Sequence, residues 1–282
     1  MRILLKSIAV FLLLSLYALV ALGIMALPAK RARRLERLTG NSSFFARLGL
    51  RVLGIRVHSR RLKRKGIRKR RTRTHYLIIA NHLTYADILV VASLMPSVFI
   101  TSVELKQTFP LGLFAWLGGC LFVERRSRAG LKREIGEIEK VLVQGTSVAL
   151  FPEGTTSNGD TVQPFKNSLI TAAITTGTSL LPVCIRYRAA NGRPVDTTNR
   201  DSVYYYGGTT FFQHLPRFLA LRSIDVECVV LRPITAHQNQ SRKDLAARAH
   251  QMISAVYHER PSGRHRSAGI VHGTTDEHMM ET

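Results

Sequence analysis

His82 and Asp87 stand five positions apart in Asn81-His82-Leu83-Thr84-Tyr85-Ala86-Asp87, and a second polar segment follows at Phe151-Pro152-Glu153-Gly154-Thr155-Thr156-Ser157. An imidazole beside a carboxylate pairs a general base with the group that orients it and stabilises its protonated form. A glycine among hydroxyls lets backbone approach a ligand closely and offers it hydrogen bonds. On one regular helix, five residues turn a side chain by roughly 140°, so the pair cannot share a helical face. Thr84, with Asp87 three residues on, resembles a capping pair; this predicts an N-cap at Thr84, Asp87 in the first turn and His82 outside the helix. Such a bend carries the carboxylate back under the imidazole, where the helix dipole favours negative charge. A capping box beside an ordinary histidine is the alternative for this segment taken alone.

The elements that must position these residues are legible from apolar runs. Tyr76 to Ala80 reads as a buried strand before the first segment, Ile88 to Leu94 as a helix after it, and Ser147 to Phe151 as a strand before the second. Both corners therefore lie at strand carboxyl ends, where ligands bind in open α/β sheets. Leu131, Ile135, Ile138, Val141 and Leu142 repeat at helical spacing, with Gly145 suited to the helix end. That helix joins the strand before Glu124-Arg125 to the strand before Glu153, a β-α-β unit that predicts a parallel pair. Ser223 to Leu231 reads as a late strand, and Asp244 to His258 as a helix with Leu245, Ala249, Met252, Ile253 and Val256 inward. Nearer the start, Arg31 to Leu38 and Ser43 to Leu53 read as two helices split by Gly40-Asn41, the second suited to an interface or to core packing. The fold class is thus α/β, a mixed and largely parallel sheet flanked by helices.

The chain has 282 residues, 45% hydrophobic, enough for one substantial core and a membrane segment besides. Ser7 to Leu27 carries no charge and is about long enough to cross a hydrocarbon core. Lys30, Arg31, Arg33 and Arg34 follow at once, so the positive-inside rule predicts a single-pass anchor with the catalytic part on the cytoplasmic face, rather than a cleaved signal peptide. Cys120, Cys184 and Cys228 form neither a zinc pattern nor a disulfide frame, no metal site is expected, and no Gly-x-Ser-x-Gly elbow occurs. The formal net charge is +23, concentrated in the run from Arg60 to Arg73. Such a run serves as a solvated loop, a nucleic-acid patch or an anionic-lipid anchor; beside a membrane helix, anionic phospholipid headgroups are the expected partner and nucleic acid is not.

In their order along the chain, the two polar segments resemble those of the glycerolipid acyltransferase family, the 1-acyl-glycerol-3-phosphate acyltransferase-like or PlsC-type group. Gly119-Cys120-Leu121-Phe122-Val123-Glu124-Arg125 and Leu181-Pro182-Val183 are similar to the family's second and fourth blocks, so the resemblance runs from about Tyr76 to Leu231. Taken singly these two blocks are unspecific: Glu124-Arg125 could be a surface ion pair and Pro182 an edge-strand device. The resemblance implies a glycerol-3-phosphate acyltransferase-like fold, with His82 and Asp87 catalytic and Arg125, Glu153, Gly154, Thr155 and Lys166 at the acceptor. It implies no cofactor, with acyl-CoA or acyl-carrier protein as co-substrate and membrane lipids as partners. The implied reaction acylates a lysophospholipid hydroxyl, first of all 1-acyl-glycerol-3-phosphate to phosphatidic acid. Two departures keep lyso-ornithine lipid or another lyso-lipid open as acceptor: Thr156 stands where Arg is common in phosphate-handling members, and Ser168 where Gly is common. A non-catalytic basic module binding membrane or nucleic acid is the competing class. The expected organisation is an anchor over 1–30, interfacial helices and a basic linker over 31–75, the catalytic domain over 76–260 and a flexible tail over 261–282.

Overall fold

The computed structural model describes residues 1–62, 74–124 and 128–259. The calls on Lys63 to Arg73, on Arg125 and on the tail fall outside them. Two long helices, α1 (Arg2–Ala26) and α2 (Arg31–Leu53), lead into β1 (Ile55–Arg61), β2 (Leu77–Ala80) and α3 (Ala86–Leu94). Then come β3 (Val98–Ser102), α4 (Val103–Lys106), α5 (Leu111–Leu117), β4 (Leu121–Val123), α6 (Arg128–Val143) and β5 (Val148–Leu150). The chain closes with α7 (Thr171–Thr176), β6 (Leu180–Ala190), β7 (Arg193–Pro194), α8 (Phe211–Ala220), β8 (Ile224–Val230) and α9 (Arg242–Tyr257).

The sheet order is β1-β8-β6-β2-β5-β3-β4, with β7 on β6. The five strands from β6 to β4 run parallel, whereas β8 is antiparallel to β6 and β1 parallel to β8. The side-chain period of two sorts the strand residues into two cores. Ile78, Ala149, Phe151, Leu181 and Ile185 pack under α2, α3 and α8, while Leu77, Ile79, Val148, Leu150 and Leu180 pack under α6, α7 and α9. The expected mixed sheet between helical layers is what forms.

Three local expectations need correction. Helix α2 is continuous through Gly40-Asn41. A glycine inside a helix costs only about 1 kcal/mol, and burial of Leu38, Phe45, Ala46 and Leu50 on both sides of the break outweighs it. The β-α-β unit around α6 is parallel, but β3 lies between β4 and β5, so those two strands are not neighbours. Pro182 is buried in an interior strand rather than at an edge. Its missing N–H falls just outside the β6–β8 ladder, whose pairing begins at Val183.

Helix α1 is not a free appendage. Its Lys6 Nζ donates to the carbonyls of Leu53 and Leu221 at 2.7 and 2.6 Å, capping the carboxyl ends of α2 and α8. Further along, Tyr17 and Ala21 share a small core with Leu38, Phe45 and Leu117. The opposite flank exposes Leu4, Ile8, Phe11, Leu12 and Leu19. By length and composition α1 could cross a membrane.

Where β2 ends, Asn81 extends the sheet with its side chain. Its Nδ2 donates to the Ile185 carbonyl at 2.9 Å and its Oδ1 accepts the Ile185 N–H at 2.8 Å. This buried amide pair lets the main chain turn away at His82 without orphaning β6. Asn81→Ala leaves both Ile185 groups unpaired, so denaturant unfolding should show a loss of about 2–4 kcal/mol.

Candidate active site

His82 follows β2 and Glu153 follows β5, two adjacent parallel strands. From β2 the chain crosses to the α3 face and from β5 to the α7 face, so a crevice opens between the two carboxyl ends. The site is assembled in that crevice.

Asp87 sits in the first turn of α3, fully buried, and gathers four donors. Its Oδ2 accepts His82 Nδ1 at 2.9 Å, the Leu83 N–H at 2.6 Å and the Thr84 N–H at 2.9 Å. Its Oδ1 accepts the Tyr187 hydroxyl at 2.8 Å. All four of these partners are donors. The expected bend is thus present, but Thr84 is not the cap. The cap position falls at Tyr85, and the Thr84 Oγ1 is buried without a partner. Half of a capping box forms, with the residue-three carboxylate reaching back to the Thr84 N–H. The other half is lost because the chain turns one residue later.

With Asp87 accepting at Nδ1, the proton of neutral His82 is held there and Nε2 is left as the base. Among the described residues Nε2 makes no hydrogen bond, and the side chain keeps 17% exposure. The ring lies flat on Phe151, centroids 4.1 Å apart at 14°. The His82 backbone is clamped as well: its N–H donates to Glu153 Oε1 at 2.7 Å, and its carbonyl accepts the Ser157 N–H at 3.2 Å. Orientation is therefore set by a carboxylate below, an aromatic face beside and a neighbouring loop.

Glu153 does more than face a ligand. Its second oxygen accepts the Gln163 N–H at 3.0 Å, so both oxygens brace one loop against the other. Burial pushes its carboxyl up to about 7, against the opposing pull of these two N–H groups. Gly154 turns at φ +79°, and a Cβ there would stand 2.7 Å from Lys166 Nζ. Lys166 is anchored by its own N–H on the Pro152 carbonyl at 2.9 Å. The structure thus brings His82, Asp87, Glu153, Gly154 and Lys166 into one constellation, with Thr155 exposed at its rim. Arg125 lies outside the described residues; β4, which precedes it, ends on the same sheet edge.

Two contributors escaped the sequence reading. Tyr187 lies 100 positions from Asp87, and no local spacing announces it. Burial, reinforced by the Asp87 charge and their hydrogen bond, raises its phenol well above the ordinary value, so it remains a donor. Asn81 was visible beside His82, but its partner on β6 was not.

With this geometry in view, the relatives are informative. The sequence profile of the acyltransferase family matches residues 57–186. The chain is 31% identical over 228 residues to the lyso-ornithine lipid O-acyltransferase of Rhizobium meliloti, covering 78% of this chain and 74% of that one. It is 29% identical over 180 residues to the 1-acyl-sn-glycerol-3-phosphate acyltransferase of Neisseria gonorrhoeae, covering 64% and 68% respectively. The crystal structure of the 1-acyl-sn-glycerophosphate acyltransferase PlsC from Thermotoga maritima superposes with a TM-score of 0.59 over 89% of this chain and 96% of that one. At 18% identity that likeness speaks for the fold alone. The chain belongs to the acyltransferase family and is an enzyme of that class.

Removing the phenol of Tyr187 leaves Asp87 short of one of its four donors and loosens the carboxylate that orients His82. Tyr187→Phe should lower kcat about tenfold in steady-state acyl transfer, with KM little changed. Glu153 supplies a stability test. Its carboxyl is raised above the ordinary 4.5, so its contribution is complete below that value and is lost as pH climbs through about 7. Thermal unfolding of the wild type should fall relative to Glu153→Gln between about pH 5 and about pH 8.

Proposed function

We propose that the enzyme is a membrane-associated lyso-lipid O-acyltransferase, using acyl-CoA or acyl-carrier protein as donor. The observation that carries this reading is His82, with Nδ1 fixed by Asp87 and Nε2 making no hydrogen bond among the described residues. An alcohol is a weak nucleophile at neutral pH, and Nε2 takes its proton as the oxygen attacks the thioester carbonyl. The tetrahedral intermediate collapses by breaking the carbon–sulfur bond, and the proton on Nε2 passes to the departing thiolate. Asp87 stabilises the imidazolium in between. No acyl-enzyme is needed. Both substrates held in line supply a further share of the rate.

For the acceptor, lyso-ornithine lipid is our first reading. The relatives so named in Rhizobium meliloti and Brucella abortus align over more of this chain than the phosphate-acceptor relatives do. Thr156 also lacks the guanidinium that would hold a phosphate bidentately. The second reading, 1-acyl-glycerol-3-phosphate, is supported by the Lys166 ammonium against Gly154. In either case Gly154, Thr155, Lys166 and Arg125 are the proposed acceptor contacts, with Glu153 holding the loop that presents them.

Membrane association is attributed to α1. Its inner flank is docked from Lys6 to Ala21, leaving one bare apolar side rather than a bare circumference. This supports a helix embedded along the bilayer surface over the single-pass arrangement, which requires α1 to leave α2. The positive charges beyond α1 favour the cytoplasmic leaflet.

Purified enzyme in mixed micelles, given labelled acyl-CoA or acyl-carrier protein with lyso-ornithine lipid or 1-acyl-glycerol-3-phosphate, tests these assignments together. His82→Ala should lose at least about a thousandfold in transfer while still sedimenting with membranes. Unchanged turnover in that variant would falsify the mechanism. Fatty-acid release without acceptor would instead identify a hydrolase.

A further inference from the structure

The stretch from Thr108 to Val123 contains no charged residue, yet much of it lies on the surface. Helix α5 has two apolar faces. One faces inward, where Leu117 joins Tyr17, Ala21, Leu38 and Phe45 and where the Tyr17 hydroxyl reaches the Phe114 carbonyl at 3.3 Å. The other carries Leu113 and Trp116, three apart and so on one side of the helix, and Phe109 lies in the turn just before it. Their exposures are 79% for Phe109, 42% for Leu113 and 46% for Trp116. No polar face exists for water.

We infer that α5 and the turn before it form a second membrane contact, seating Phe109, Leu113 and Trp116 in the interfacial region of an anionic bilayer beside α1. The bilayer is the occupant because α5 packs directly beside α1, the other bare apolar helix: the Tyr17 and Phe114 rings lie 6.2 Å apart on their inner faces, and a Cβ on Gly118 would stand 2.9 Å from the Tyr17 hydroxyl. An indole suits the headgroup boundary, where its ring is buried and its N–H stays wet. Lys106 sits on α4 just before the stripe, and α1 is flanked by basic residues in the sequence, charge that an anionic leaflet attracts. The placement also serves the reaction. Strand β3 delivers the chain into α4 and α5 at the same sheet edge where His82 and Glu153 sit, so this contact holds the crevice mouth at the surface that contains the acceptor.

The inference rests on the membrane association proposed above, and one native probe separates the two. Trp116 is the sole tryptophan of the chain. Full-length enzyme is reconstituted with phosphatidylcholine–phosphatidylglycerol vesicles whose acyl chains are brominated near the headgroup or near the bilayer centre. Trp116 emission should shift to the blue, be quenched about twofold by the shallow bromines and less by the deep ones, and be shielded from aqueous iodide. Leu113→Asp should reverse that protection. Protein that floats with vesicles while Trp116 stays unquenched and iodide-accessible overturns the α5 contact but leaves α1 in place. Stronger quenching by the deep bromines overturns the interfacial placement. Failure to float overturns the membrane reading itself and the α5 contact with it.

Discussion

The site depends on one buried carboxylate. Asp87 collects an imidazole N–H and two backbone N–H groups from the adjoining turn and a phenol from a strand 100 positions away. Remove it and the turn after β2 loses its internal cap, the histidine its tautomer and Tyr187 its acceptor. A carboxylate inside a protein is costly unless fully paired, and here the pairing fixes the loop and the imidazole in one arrangement. The same donors that satisfy the charge also define the loop, so stability and chemistry are not separable at this residue.

The sheet topology explains why the second motif sits beside the first. Strands β2 and β5 are neighbours, yet the sequence between them holds β3, β4 and four helices. Crossing connections on opposite faces leave a crevice at their carboxyl ends. Glu153 then ties the two corners through backbone groups, so the loop that contains Gly154 is presented to a ligand at a fixed distance from His82. Pro182 and Asn81 finish the arrangement on the β6 side. Each lies where the regular ladder ends: Asn81 replaces main-chain bonds with its side-chain amide, and Pro182, lacking an N–H, sits where the β6–β8 ladder does not call for one.

Apolar surface is arranged by the same logic. Helix α1 spends one flank and the Lys6 ammonium on α2 and α8, while its other flank and the stripe on α5 stay bare. In a chain carrying +23, bare apolar surface bordered by positive charge fits a lipid boundary. On the proposed membrane association, the chemistry would take place where a lyso-lipid acceptor resides.

By itself the sequence determined the strands around both motifs, helices α6 and α9, the apolar character of α1, and the bend that puts His82 before the helix and Asp87 in its first turn, because these follow from short-range periodicity and local spacing. Only the tertiary structure decided that Tyr187 completes the dyad, that Glu153 is a brace, that β3 separates β4 from β5, and that α2 runs unbroken through Gly40. Those outcomes come from contacts between residues far apart in the chain. Local propensity amounts to about 1 kcal/mol at a glycine, and packing against a distant helix exceeds it. Strand β1 and helix α5 went unrecognised for a related reason: one is a charged edge strand and the other an apolar segment with no polar face, so neither shows the periodicity by which buried and exposed sides are told apart.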